Sequence, residues 1–150
     1  MRAVLQRVKR AQVSVDGSTV GSIDNGLVVL AGVADGDTLD DVATMAEKLI
    51  GLRVFPDEEG RMNRSVVDIA GSILVVSQFT LLGSVRKGRR PSFTAAASPE
   101  VAEELLQVLV DSLAEHVPVE AGCFGAHMAV DLVNDGPVTL VIDVVGGQVV

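Results

Sequence analysis

The sequence predicts an α+β fold: curled, mostly antiparallel sheets forming a barrel-like roll, with two main helices packed on it. Three observations lead there. Apolar, β-branched runs are separated by Asx-Gly turn signals, two segments keep helical spacing, and strands and helices do not alternate strictly as βαβ units would. The core must be aliphatic, because hydrophobic residues make up 48% of the chain while Trp and Tyr are absent and only four Phe occur. A chain of 150 residues can bury a substantial core within one domain, 1–150.

The first 33 residues read as three antiparallel strands. Residues 3–8 and 13–15 alternate, and Asp16-Gly17 and Asp24-Asn25-Gly26 mark the turns. The third strand, Leu27–Val33, is apolar throughout and suits burial on both faces. Asp37 or Thr38 caps a helix over about 39–51, with Leu39, Val42, Ala43, Ala46, Leu49 and Ile50 on its apolar face and Asp40 and Asp41 in its first turn. Val54-Phe55 is a short strand closed by the Pro56–Gly60 turn, and Ile73–Val76 is a central strand running into Ser77-Gln78-Phe79-Thr80. A polar loop leads to a second helix with Ser98 as cap, Pro99 at its first position, and Val101, Leu105, Val108, Leu109 and Leu113 as its buried stripe. Strands near 117–121, 127–133 and 138–145 complete the chain. Asn134-Asp135-Gly136 reads as a tight turn between the last two, and Pro137 opens the final strand without an N–H to donate.

Charge and composition narrow the function classes. The longest apolar run, Leu27–Ala34, is far short of the ~20 residues of a membrane span, and charges interrupt the N-terminal stretch where a signal peptide would be apolar. The single Cys123 excludes an internal disulfide, so a cytoplasmic protein is expected. The net charge of −8 disfavours indiscriminate nucleic-acid binding, yet all twelve Lys and Arg lie in residues 1–90 and none in 91–150. Arg2, Arg7, Lys9 and Arg10 form one basic cluster, and Arg86, Lys87, Arg89 and Arg90 another. Each is suited to a few phosphates or to a solvated surface.

Few residue patterns carry chemistry. His116 and His127 have no partners at metal-ligand spacing, so no metal site is expected, and the glycines form neither a phosphate loop nor a dinucleotide fingerprint. Ser77, His127 and Asp131 stay open as a hydrolytic set. Ser77-Gln78-Phe79-Thr80 places two hydroxyls and an amide at the end of a buried strand. That is either a satisfied strand terminus or an ester or amide site, with Thr80 as nucleophile or backbone N–H groups holding an oxyanion.

Together, Ser-Gln-Phe-Thr-Leu at 77–81 and Asn-Asp-Gly-Pro-Val-Thr at 134–139 resemble the two signature motifs of the D-aminoacyl-tRNA deacylase family. Gln6-Arg7-Val8, Gly60-Arg61-Met62-Asn63, Arg90-Pro91-Ser92-Phe93 and Phe124-Gly125-Ala126-His127-Met128 extend the resemblance over essentially the whole chain, except the tail beyond Val144. The resemblance implies a homodimer without cofactor or metal that hydrolyses the ester between a D-amino acid, or mischarged glycine, and the terminal adenosine of tRNA. It implies that Ser77, Gln78, Phe79 and Thr80 line the pocket for adenosine and ester. Gly136-Pro137 would be a Gly-cisPro element inserted into the partner's pocket, with Arg7 holding it and Met128 in the pocket wall. Two other readings compete: a non-enzymatic nucleic-acid-binding dimer, and a small ester or amide hydrolase dependent on Thr80.

Overall fold

The computed structural model describes residues Met1–Val150. Its strands are β1 (Arg2–Val15), β2 (Ser18–Ile23), β3 (Gly26–Gly32), β4 (Phe55–Pro56), β5 (Met62–Arg64), β6 (Ser72–Ser77), β7 (Val119–Ala121), β8 (Ala129–Val145) and β9 (Gln148–Val149). The helices are α1 (Leu39–Gly51) and α2 (Pro99–Ala114), and a single 3-10 turn spans Phe79–Leu82. No helix is long and apolar enough to cross a membrane.

The main sheet runs β7-β6-β3-β1-β8-β9, with β2 also paired to β1, and curls into a half-barrel. Antiparallel pairing predominates, around β1 and β8, while β3, β6 and β7 run parallel. The parallel pairs follow from the helices: α1 lies between β3 and β6, and α2 between β6 and β7, so each pair needs a crossover rather than a hairpin. β3 is buried on both faces as expected. Leu27, Val29 and Ala31 join the core beneath the helices, and Val28 joins Val8, Val13, Ile23, Leu74 and Val76 on the opposite face.

Both helices form where the caps direct them. Asp41 accepts from the N–H and hydroxyl of Thr38 at 2.8 and 3.0 Å, closing the first turn of α1. Asp37, the other candidate cap, instead accepts from the Met1 amine and the Ala34 N–H, both at 2.6 Å. The buried stripes differ from those inferred from spacing. Leu39 is exposed and Met45 takes a core position in α1, while α2 buries Ala102, Leu105, Leu106, Leu109 and Leu113 and exposes Val101. Ala102 and Leu106 pack into the main core and also wall a cavity at the end of β6.

The largest departure from the sequence reading is at 129–145. There is no hairpin there. β8 is one continuous strand antiparallel to β1, in which Gln6 pairs with Thr139 and Val8 with Asn134. One residue of β1, Arg7, therefore faces the four residues Asp135–Val138, and Asn-Asp-Gly-Pro leaves the sheet as a bulge instead of reversing the chain.

Candidate functional site

The sequence brings two structures to functional form: a cavity at the end of β6 and the bulge in β8. They are separate within one chain.

β6 is apolar and buried from Ile73 to Val76, then meets polar Ser77 and Gln78 as it emerges beside the end of β3. The N–H of Gln78 donates to Ala31 O at 2.8 Å, extending the parallel ladder by one residue before the chain turns. Gly32 lets this happen, since a Cβ there would lie 2.8 Å from Gln78 O and 2.4 Å from a Leu82 methyl. The turn's own hydrogen bonds start with Leu81 N donating to Gln78 O at 3.2 Å, so the N–H groups of Phe79 and Thr80 precede the first intrahelical bond.

Phe79 borders a cavity of about 550 Å³, mostly apolar, walled by the ends of β3 and β6, by Phe93, Ala96 and Ala97, by the start of α2 and by the segment from Phe124 to Met128 with Val130. Ser77, Gln78, Phe79 and Met128 line it; Thr80 does not. Three of the four phenylalanines of the chain, Phe79, Phe93 and Phe124, meet here, and Phe79 and Phe93 form an edge-to-face pair with centroids 5.1 Å apart. Phe93 and Phe124 carry no assigned role in the sequence reading. The signal was available, because rings are so scarce in this chain that two flanked by polar and glycine-rich residues stand out.

The hydrolytic alternatives fare unequally. His127 and Ser77 both line the cavity, but the Asp131 carboxylate takes Arg10 at 2.8 Å and is not part of the wall, so a Ser-His-Asp set is not assembled. The Gln78 amide nitrogen donates to Thr80 Oγ1. A donor amide cannot accept the hydroxyl proton, which leaves Thr80 without a base. No group of three or more His, Cys, Asp or Glu is placed to hold a metal ion.

Side-chain hydrogen bonds hold the bulge at its neck and from beneath. The Asn134 side chain spans its neck: Val138 N–H donates to Asn134 Oδ1 at 2.7 Å, and Asn134 Nδ2 donates to Val138 O and Thr139 Oγ1 at 3.1 Å each. From beneath, Arg7, only 9% exposed, donates through Nε to Asp135 O at 2.8 Å and through Nη1 to Val54 O. The Gly136–Pro137 peptide bond is cis, and Gly136 has φ 144°, a region open to glycine alone. Both residues are exposed, and neither lines the cavity of its own chain.

The description "D-Tyr-tRNA(Tyr) deacylase" belongs to the family whose model matches residues 4–143. The chain belongs to this family. Curated relatives of the family, each named D-aminoacyl-tRNA deacylase, are close. The protein of Opitutus terrae is 59% identical over 95% of this chain and 97% of its own, and that of Thermosipho africanus 56% over the same shares. Among solved structures, "c-Myc DNA Unwinding Element Binding Protein" is 40% identical with TM-score 0.92, covering 97% of this chain and 100% of that one. The family fold is also shared by a probable eukaryotic D-amino acid tRNA deacylase at 20% identity, TM-score 0.81, over 95% of this chain and 98% of that one.

Proposed function

We propose that this protein is a D-aminoacyl-tRNA deacylase, hydrolysing the ester that joins a D-amino acid, or mischarged glycine, to the terminal adenosine of tRNA. One observation carries the reading. Ser77, Gln78 and Phe79, within the stretch that resembles the family's first signature, end the central strand inside the aromatic-rich cavity. Such a cavity suits a planar base, with Phe79, Phe93 and Phe124 supplying ring faces and edges. An aminoacyl ester is already activated, so positioning supplies much of the barrier reduction. A water held beside the ester carbonyl adds to it, with the ribose 2′-hydroxyl relaying the proton. The bond to the ribose 3′-oxygen then breaks. The N–H groups of Phe79 and Thr80 meet the developing oxyanion, each such donor being worth ~3 kcal/mol.

Chirality is read by backbone in this account. The carbonyls of Gly136 and Pro137, entering the cavity of a second copy, accept from the substrate ammonium and leave no room for an L-oriented Cβ. D side chains point away and glycine has none, so both pass. Arg7 fixes the bulge, and Met128 forms part of the cavity wall. The dimer this requires is supported by two features: the bulge lies away from its own cavity, and Val133, Leu140, Val141 and Val145 of β8 are exposed in one chain.

Mixing subunits tests the arrangement. A Gly136→Ala protomer and a Gln78→Ala protomer, each inactive or unselective as a homodimer, are refolded together. One site per mixed dimer is then intact, so about a quarter of wild-type selective activity returns. No recovery would mean that each chain serves its own cavity. The alternative of a nucleic-acid-binding dimer without hydrolysis draws on the printed title of the 40%-identical structure. The net charge of −8 speaks against it, and tight duplex binding without ester loss would establish it.

A further inference from the structure

We propose that the loop carrying Arg86, Lys87, Arg89 and Arg90 is the clamp for the phosphodiester strand that leads to the terminal adenosine. This rests on the deacylase reading and names the part of the substrate that reading leaves unplaced.

The first observation is where the loop is rooted. Ser84 and Ser92 exchange backbone hydrogen bonds of 2.8 and 2.9 Å, closing a neck beneath residues 85–91. On one side of the neck the chain has just left the 3-10 turn of Phe79–Leu82. On the other it enters Phe93, which lines the cavity and packs on Phe79 at 5.1 Å. Both roots of the loop are thus at the site. Arg90 stands three residues before Phe93, at most ~11 Å of extended chain, so its guanidinium is within reach of the phosphates next to a base held by Phe93.

The second observation is that these cations are unspent. Arg2, Arg7, Lys9, Arg10, Arg61 and Arg64 each pair with a carboxylate. Arg86, Lys87, Arg89 and Arg90 pair with none, and all four are exposed. Four like charges in five residues repel one another, and nothing within the fold relieves them; a polyanionic strand would. The remainder of the chain is strongly acidic, with no Lys or Arg after Arg90, so a long duplex is repelled while a short strand at the cavity mouth is held. The grip is therefore local: a few phosphates beside the reacting end, and little beyond.

The experiment compares two substrates: D-tyrosyl-tRNA, and the D-tyrosyl 3′-ester of adenosine, which has the scissile bond but no phosphate. Wild type, Arg89→Gln/Arg90→Gln and the charge-keeping Arg89→Lys/Arg90→Lys are assayed between about 0.05 and 0.2 M salt. For the glutamine variant on the tRNA ester, kcat/KM falls on the order of 10-fold at low salt through KM. The slope of log kcat/KM against log salt flattens by ~0.7 for each cation removed. The adenosine ester is hydrolysed as by wild type, and the lysine variant keeps the slope. An unchanged slope on the tRNA ester overturns the clamp while leaving the deacylase reading intact. Equal losses on both substrates also overturn it, because the loop would then act only as a wall of the cavity. If wild type hydrolyses neither ester, the deacylase reading fails and the clamp with it.

Discussion

Replacing Arg7 by Met removes the support of the β8 bulge without emptying the space beneath it. The methionine keeps most of the aliphatic contact but makes no hydrogen bond. Two acceptors lose their donor: Asp135 O, held at 2.8 Å, and the carbonyl of Val54. Hydrogen bonds to a charged donor contribute ~1.5–3 kcal/mol each, and Arg7 is only 9% exposed, so water replaces them poorly. Relief of the guanidinium's own desolvation offsets part of the loss. The expected destabilisation is ~3 kcal/mol, or about 6–12 °C in Tm for a chain of this size. Thermal unfolding and urea titration measure it. On the functional side, a bulge released from Asp135 no longer holds its carbonyls in one place, so discrimination between D and L esters weakens more than the rate on the D ester. Arg7→Lys falls between, because one ammonium cannot present the guanidinium's fork to two carbonyls. Stability within ~0.5 kcal/mol of wild type, together with an unchanged D/L ratio, would refute the reasoning.

Three further outcomes follow from the same geometry. Gly136→Ala places a Cβ 2.9 Å from a Val138 methyl and 3.1 Å from Arg7 Nη2 at φ 144°, so it costs ~1–3 kcal/mol and lowers the D/L ratio. Stability and selectivity both equal to wild type would contradict that. Thr80→Ala lowers kcat for the D ester by less than ~10-fold, because the Thr80 hydroxyl has no base to take its proton; a fall of ~10³-fold or more would make the hydroxyl the nucleophile. The N–H of Gly147 at 2.9 Å, then the Thr38 N–H and hydroxyl, hold the buried Asp41 carboxyl below the usual carboxylate range. Its contribution is therefore present above the unfolded pKa of ~3.9 and is lost as pH falls through the lower folded value. Urea midpoints should drop over that acid interval in wild type and less in Asp41→Asn; parallel curves would sink this assignment.

Much of this was readable from the residues, and the failures have physical causes. The three N-terminal strands, both helices and the polar end of β6 follow from local signals: Asx-Gly turns, Thr38 and Ser98 before apolar periodicity, and Ser77-Gln78 after four buried aliphatics. Asn-Asp-Gly suits a hairpin turn as well as the β8 bulge. What decides between them is pairing with β1, fixed by Arg7 across 128 residues of sequence. The buried face of α2 is hidden for a related reason, since Ala102 and Leu106 are buried by packing into the core that no local pattern announces. The parallel order of β3, β6 and β7 depends on the crossovers in the same way. Of the candidate site, Ser77 to Phe79 and Met128 do meet in the cavity, while Gly136-Pro137 stands outside it. The proposed second copy would bridge that separation.

The most direct measurement is ester loss from matched D-tyrosyl-, L-tyrosyl- and glycyl-tRNA incubated with the purified protein. The account predicts rapid loss of the D and glycyl esters, with the L ester spared. Equal loss of D and L esters would leave a hydrolase but contradict a backbone filter at Gly136-Pro137, and no loss of any would contradict the deacylase itself.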